Sequence, residues 1–249
     1  MFTSDKRYLI TGASSGIGKA ICCDLITKGA SVIGVARSED KLLALQNELK
    51  SEHFHYELCD LSKNLDTIPN MLMKLSKKFG KLSGLVHSAG IQEILPIRSY
   101  KKLHLSQLFE INVFSALFLA KGICDKRVNI GKGTSIVFIS SIASITGSSG
   151  IVGYSASKAA LNGMMRSLAV EMAPQGIRVN SILPGFVMTE MIENWKQIYN
   201  DEYIKEIDEK YPLGIGKPED VAEPVSFLLS EQAKWITGIE LCVDGGGHL

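Results

Sequence analysis

The sequence predicts a single α/β domain, a doubly wound parallel sheet of about seven strands with helices on both faces, and three observations carry that reading. Short runs rich in β-branched residues alternate with helical-period segments from Tyr8 to the C-terminal ITGIELCV. One run, SIVFI, is apolar almost throughout, as strands covered on both faces are. Near the N-terminus a glycine-rich turn, TGASSGIG, joins the first strand to the first helix. No linker, repeat or low-complexity stretch interrupts the alternation, so residues 1–249 form one unit.

Composition narrows the partners. A formal charge of +1 and a charged fraction of 21% leave no electrostatic footprint for nucleic acid or a membrane surface. No uninterrupted apolar run approaches the ~20 residues a spanning helix needs. The opening MFTSDKRYLIT enters a strand almost at once, which leaves no room for a signal peptide. Five cysteines, at 22, 23, 59, 124 and 242, lack CxxC spacing, so free thiols in a reducing, cytoplasmic setting are expected. His53 and His55 alternate as on a strand without further ligands nearby, and no metal is expected.

The first strand, Tyr8 to Thr11, runs into Gly12, Gly16 and Gly18 and a helix ending at Gly29. Such glycines permit a tight turn, close approach of a pyrophosphate and close packing of helix on strand. The helix N-terminus then offers free N–H groups to phosphates. The second strand, SVIGVAR, ends on Ala36 and Arg37. A carboxylate there would bind a ribose 2′-OH, whereas a guanidinium suits a 2′-phosphate, so NADP(H) is favoured over NAD(H). A solvent-facing Arg37 is the plainer alternative, and Ser15 can add a hydroxyl contact. The third strand, HFHYEL, leads to Asp60 and Leu61, where an adenine would lie.

A charged helix from Leu65 to Phe79 precedes the fourth strand, whose mouth carries Ala89 and Gly90, small enough to pack backbone against a ligand. Helical period returns from Ser106 to Cys124. Asn112 stands there among apolar residues, either a structural strut or part of a proton path. The fifth strand finishes in Ser140 and Ser141, at the carboxyl edge where open α/β sheets bind ligands. Ser141 is placed to hold a substrate carbonyl, while Ser140 and Ser144 fit loop capping better.

Val152 to Met172 forms the longest helix. Four residues apart on it, Tyr154 and Lys158 share one face. A free Tyr has a pKa of about 10, and an adjacent cation should lower it towards acid–base use near neutrality. A sixth strand breaks at Pro184-Gly185, and Val187 and Thr189 follow, placed to meet a carboxamide. Residues 188–212, with Trp195, Tyr199, Tyr203 and Tyr211, read as a substrate lid or else a surface helix pair. A helix opening at Pro218 and a seventh strand complete the chain.

Taken in order, TGASSGIG at 11–18, Tyr154-x-x-x-Lys158, Pro184-Gly185 and the terminal Thr237-Gly…Val243-Asp-Gly-Gly resemble the short-chain dehydrogenase/reductase family over essentially the whole chain. The resemblance implies a Rossmann-type fold, a homo-oligomer (tetramer or dimer) and hydride transfer between NADP(H) and a secondary alcohol or ketone. It implies Tyr154 as the acid–base, with Lys158 lowering its pKa and holding the nicotinamide ribose. Ser141 would orient the substrate oxygen and Asn112 anchor a relay water. Gly12, Ser14, Gly16, Ile17 and Gly18 would hold the phosphates, Asp60 and Leu61 the adenine, and Val187 and Thr189 the carboxamide. Where the family shows Asn-Asn-Ala-Gly, this chain has His87-Ser88-Ala89-Gly90, which should weaken hydrogen bonds behind the fourth strand. Within the family the pattern is similar to the 3-oxoacyl-(acyl-carrier-protein) reductases. That implies a small carbonyl or alcohol substrate, with a carrier-bound 3-oxoacyl thioester as one candidate and Lys126, Arg127 and Lys132 as a basic rim for the carrier. A non-catalytic dinucleotide sensor on the same fold is the competing function.

Overall fold

In the computed structural model, which describes residues 2–193, 195 and 197–249, every strand joins one parallel sheet. In chain order the strands are β1 (Arg7–Thr11), β2 (Ser31–Ala36), β3 (Phe54–Leu58), β4 (Gly84–His87), β5 (Ser135–Ile139), β6 (Arg178–Pro184) and β7 (Glu240–Val243). They lie in the order β3-β2-β1-β4-β5-β6-β7. Successive strand residues point to opposite faces, so Leu9 joins one apolar layer and Ile10 the other. Helices α1 (Gly16–Thr27), α2 (Glu39–Leu49) and α9 (Pro218–Leu229) cover the Ile10 face through Ile21, Leu25, Leu42 and Val225. On the Leu9 face, α3 (Ile68–Phe79), α5 (Ser115–Ile123) and α6 (Val152–Met172) pack Leu72, Leu119 and Leu161.

The chain builds outward from β1 in both directions, so the crossovers diverge between β1 and β4. Beyond the carboxyl ends of those two strands the connections part and leave a crevice. The segment predicted as one helix from Ser106 starts earlier, as α4 (Lys102–Phe109), and joins α5 through a single π turn, Glu110–Phe114. The continuous helix Lys102–Ile123 spans 22 residues and reaches a mean hydropathy of 1.4, long and apolar enough by those two measures to cross a bilayer. Lys102, Glu110 and Lys121 interrupt its apolar runs, so it contains no uninterrupted run near ~20 residues and the sequence-based expectation is not contradicted. Its inner side carries Ala116, Leu119 and Ala120 in the core, while Leu103, Leu105, Phe114 and Leu117 face outward.

The segment 188–212 contains the short α7 (Glu190–Glu193) and α8 (Asp201–Lys210), with Asn200 capping α8 through its side chain. Residues 194 and 196 of that predicted lid lie outside the described residues.

Candidate functional site

A cavity of about 760 Å³ occupies the crevice at the switch point. Gly12, Ser14, Ser15, Gly16, Ile17, Gly18, Arg37, Asp60, Leu61, Ala89, Gly90, Ser141, Tyr154, Lys158, Pro184, Gly185, Val187 and Thr189 all line it. Of the predicted site residues, only Asn112 is absent from the wall.

The β1–α1 turn has the form a phosphate requires. Gly12 and Gly16 sit at φ +68° and +49°, the left-handed region that disfavours other residues. A Cβ on Gly18 would fall 2.2 Å from the Gly12 carbonyl oxygen, so the helix can approach the turn only because position 18 is bare. Ser15 makes no side-chain cap and the first turn of α1 holds no carboxylate. Free N–H groups therefore face the cavity, and the residues present fit a dinucleotide pyrophosphate. Glu190 is a departure within the same wall: its Oε2 lies 3.5 Å from where a Cβ on Gly16 would stand. Arg37 is exposed on the rim at the end of β2, with no ion pair among the described residues. Asp60 accepts from the Ser62 N–H and hydroxyl at 3.1 and 2.6 Å, which, the hydroxyl first, lowers its pKa.

Deeper in, Tyr154 and Lys158 reach the cavity from the first turns of α6. Lys158 is buried, donates to the Ile139 carbonyl at 2.8 Å, and holds its Nζ 5.7 Å from the Tyr154 ring centroid. The sequence-based expectation that this amine lowers the phenol pKa is corrected here. Desolvation dominates and pushes Tyr154 up to about 12; the Ser141 hydroxyl, hydrogen-bonded to it, is the group that pulls the other way. Burial also brings the Lys158 ammonium down to about 8. Ser141 itself caps the turn after β5, accepting from the Ala143 N–H at 3.1 Å. Ser140 and Ser144 do hold the loop as expected, donating to the carbonyls of Lys158 and Ser141.

Asn112 lies in the π turn, fully buried behind the wall. Its Oδ1 accepts from the Ile91 N–H at 2.9 Å, and its amide donates to the Ile91 carbonyl at 3.0 Å and the Ser157 hydroxyl at 2.9 Å. Those bonds clamp the loop after β4 to α6. A Cβ on Gly90 would stand 3.2 Å from Asn112 Oδ1 and 3.4 Å from Lys158 Nζ, which is why a bare residue is needed there.

The hydrogen bonds behind β4, expected to weaken at His87, are instead supplied by its ring. The Thr11 hydroxyl accepts from the Ser88 and Ala89 N–H groups, both at 3.1 Å, so its own hydrogen is free for His87 Nδ1 at 3.0 Å. The other ring nitrogen then carries hydrogen and faces the Ser115 hydroxyl oxygen at 3.4 Å, and that hydroxyl donates its own hydrogen to the Ile111 carbonyl at 2.6 Å. The imidazole is thereby fixed as the neutral Nε2–H tautomer. Burial first, and then the Lys158 charge, lower its pKa to about 3.

The basic rim falls elsewhere. Lys126, Arg127 and Lys132 lie between the end of α5 and the start of β5, at the amino edge of the sheet opposite the cavity, and Arg127 is paired with Asp125. At the cavity end it is Arg98, Lys101 and Lys102, on the connection leaving β4, that are exposed. Sequence reasoning also passed over Gln92 and Phe186, whose cavity positions follow from loop paths that no local pattern encodes.

A family model described as enoyl-(acyl carrier protein) reductase matches residues 12–248. The 3-oxoacyl-(acyl-carrier-protein) reductase of Rickettsia bellii is 39% identical over 245 residues, covering 98% of this chain and 97% of its own. The L-xylulose reductase of Caenorhabditis elegans is 38% identical over 244 residues, covering 98% and 96%. A solved short-chain type dehydrogenase/reductase from Mycobacterium ulcerans superposes with a TM-score of 0.91 at 32% identity, covering all of this chain and 91% of that one.

The His87 network makes stability acid-sensitive in a defined window. With the folded pKa near 3 against 6.5 unfolded, the unfolded chain takes up a proton that the native chain refuses once the pH falls below 6.5. Stability is then lost progressively down to pH 3. Urea unfolding at pH 7 and pH 5 should show the His87→Asn variant losing about 2 kcal/mol less than the native chain over that interval. Equal losses would mean that His87 is charged in the fold.

Proposed function

We propose a specific reaction from one premise: the chain belongs to the short-chain dehydrogenase/reductase family and is an NAD(P)-dependent oxidoreductase acting on CH–OH/C=O groups. On our reading it reduces ketones with NADPH, with a 3-oxoacyl thioester as the leading substrate. The observation that carries the reading is geometric: Tyr154, Ser141 and Lys158 converge on the cavity that the glycine-rich turn also lines. A phenol near 12 is protonated at neutral pH, so it suits donation to the alkoxide oxygen of a ketone undergoing reduction.

NADPH, when bound, supplies a hydride from its nicotinamide ring. The residues of the chain do the rest. Ser141 holds the carbonyl oxygen and Tyr154 gives it a proton. Lys158, held by the Ile139 carbonyl and by Ser140 on its own backbone carbonyl, would keep a cation 5.7 Å from the Tyr154 ring centroid and hold the nicotinamide ribose. Asn112 is a positioning residue in this scheme: its three bonds hold Ile91, beside Gly90, and Ser157, beside Lys158, in register. The turn from Gly12 to Gly18, with Ser14, Ser15 and Ile17, would hold the phosphates. Asp60 and Leu61 would flank the adenine, Ala89 and Gly90 the adjoining ribose, and Pro184, Gly185, Val187 and Thr189 the carboxamide. Arg37 would meet the 2′-phosphate. Segment 188–212 would act as the lid.

The carrier reading draws support from the named reductase of Rickettsia bellii and from the exposed Arg98, Lys101 and Lys102 at the cavity end. We place the protein in the cytoplasm, a reading supported by five cysteines that are all free. The outward apolar residues of α4 and α5, with Val170 on α6, support a dimer or tetramer.

Three outcomes are expected. Tyr154→Phe should cut NADPH-dependent ketone reduction by at least about a hundredfold with the NADPH dissociation constant nearly unchanged, and near-normal turnover would overturn the assignment. The native chain should bind NADPH more tightly than NADH in fluorescence titration, with Arg37→Ala weakening NADPH about tenfold or more. Equal affinities for the two would refute the cofactor choice. Light scattering should return a dimer or tetramer of the 27.2 kDa chain, and Phe114→Glu with Leu117→Glu should shift it towards monomer; a monomeric native chain would end the oligomer reading.

A further inference from the structure

Tyr154 and Ser141 together account for one substrate oxygen. The same cavity contains another aromatic hydroxyl with no such assignment. Tyr199 is 9% exposed and lines the wall with Phe186 and Tyr203. Its ring meets Phe186 edge-on at 5.3 Å and lies 5.5 Å from Tyr203, so its direction is fixed by packing. Gln92 Nε2 donates to its hydroxyl oxygen at 3.0 Å, tying α7–α8 to the loop after β4. Among the described residues, the Tyr199 hydroxyl hydrogen meets no acceptor of its own. The phenol also stands near enough to Tyr154 that a charge on either disfavours a charge on the other.

A buried donor whose oxygen is already engaged, oriented by two rings and facing a cavity, is arranged to be completed by a ligand. We propose that Tyr199, held by Gln92, is a specificity-determining residue that donates a hydrogen bond to a second oxygen of the substrate, beside the ketone being reduced. The preferred substrate is then a ketone with an adjacent oxygen acceptor and an apolar remainder, for which Ile94, Ile151 and Ile198 provide the walls. A 3-oxoacyl ester or thioester carries that acceptor as a carbonyl, and a 2-hydroxyketone carries it as a hydroxyl. The inference rests on the ketone-reductase reading above. It adds why a two-oxygen substrate should be favoured over a plain ketone.

Steady-state NADPH oxidation would be followed with ethyl 3-oxobutanoate, 1-hydroxy-2-butanone and 2-hexanone, using the native chain, Tyr199→Phe and Gln92→Leu. The native chain should favour a two-oxygen substrate over 2-hexanone in kcat/KM. Tyr199→Phe should reduce that preference tenfold or more, mainly through KM, because the site loses a donor that 2-hexanone never used. Gln92→Leu should reduce it by a smaller factor in the same direction. Whichever two-oxygen substrate loses more identifies the acceptor as carbonyl or hydroxyl. An unchanged preference in Tyr199→Phe, or equal losses on all three substrates, would overturn the proposal while leaving the reductase reading intact. A native chain that reduces none of them would defeat the reductase reading and this inference with it.

Discussion

Removal of water from the end of β5 is the constraint on which the site depends. Lys158 and Tyr154 reach that point from one helix face, and both lose hydration on the way. Desolvation penalises each charged form, so the phenol rises to about 12 and the ammonium falls to about 8. The two groups, nearly equal in acidity when free, are thereby driven apart in opposite directions, and both are held towards their neutral forms. The Ser141 hydroxyl is then the local group that favours the phenolate, and it is also the group placed against the substrate oxygen in the proposed reaction.

The rest of the fold holds this dry point in place. A π turn in the helix opposite β4 turns Asn112 inward and leaves the Ile111 carbonyl to accept from Ser115, whose hydroxyl faces His87. From His87 the bonds run to Thr11, and from Thr11 to the Ser88 and Ala89 N–H groups, so the mouth of β4 is tied to the end of β1. Buried polar networks of this kind are tolerated only when each member is satisfied. Here the bookkeeping closes around one neutral imidazole.

Much of the architecture was legible because it depends on local signals. Strand-length apolar runs, the glycine spacing after β1 and the four-residue separation of Tyr154 and Lys158 each act over a few residues, and each appears where the sequence places it. The direction of the Tyr154 shift was not legible, because it depends on how deeply the fold buries α6, and spacing says nothing of depth. Asn112 read as either a strut or part of a proton path, and the fold places it behind the cavity wall with its amide fully engaged, a depth that its apolar neighbours alone do not fix. Lys126, Arg127 and Lys132 read as a rim for want of a sheet edge to set them against; a connection leading into β5 must lie at its amino end. His87 read as the loss of an amide, because the gain depends on Thr11 and on Ser115, seventy-six residues back and twenty-eight further along.

The two halves of the cavity are built to different rules, and that difference bears on how such a chain can change its substrate. The wall formed by β1, α1 and β4 is fixed by bare glycines whose substitution would strike backbone, as at Gly18 and Gly12. At those two positions a side chain cannot be added without moving backbone. The opposite wall, from Phe186 through Tyr211, is held by side-chain contacts: Gln92 to Tyr199, the Phe186 N–H to the Tyr211 hydroxyl at 3.2 Å, and three stacked or edge-on rings. Each of those contacts can be exchanged without disturbing the sheet. In the proposed reaction, a rigid nucleotide wall facing an exchangeable substrate wall would let Tyr154 serve different ketones, since the burial of Tyr154 under β5 does not depend on what the far wall recognises.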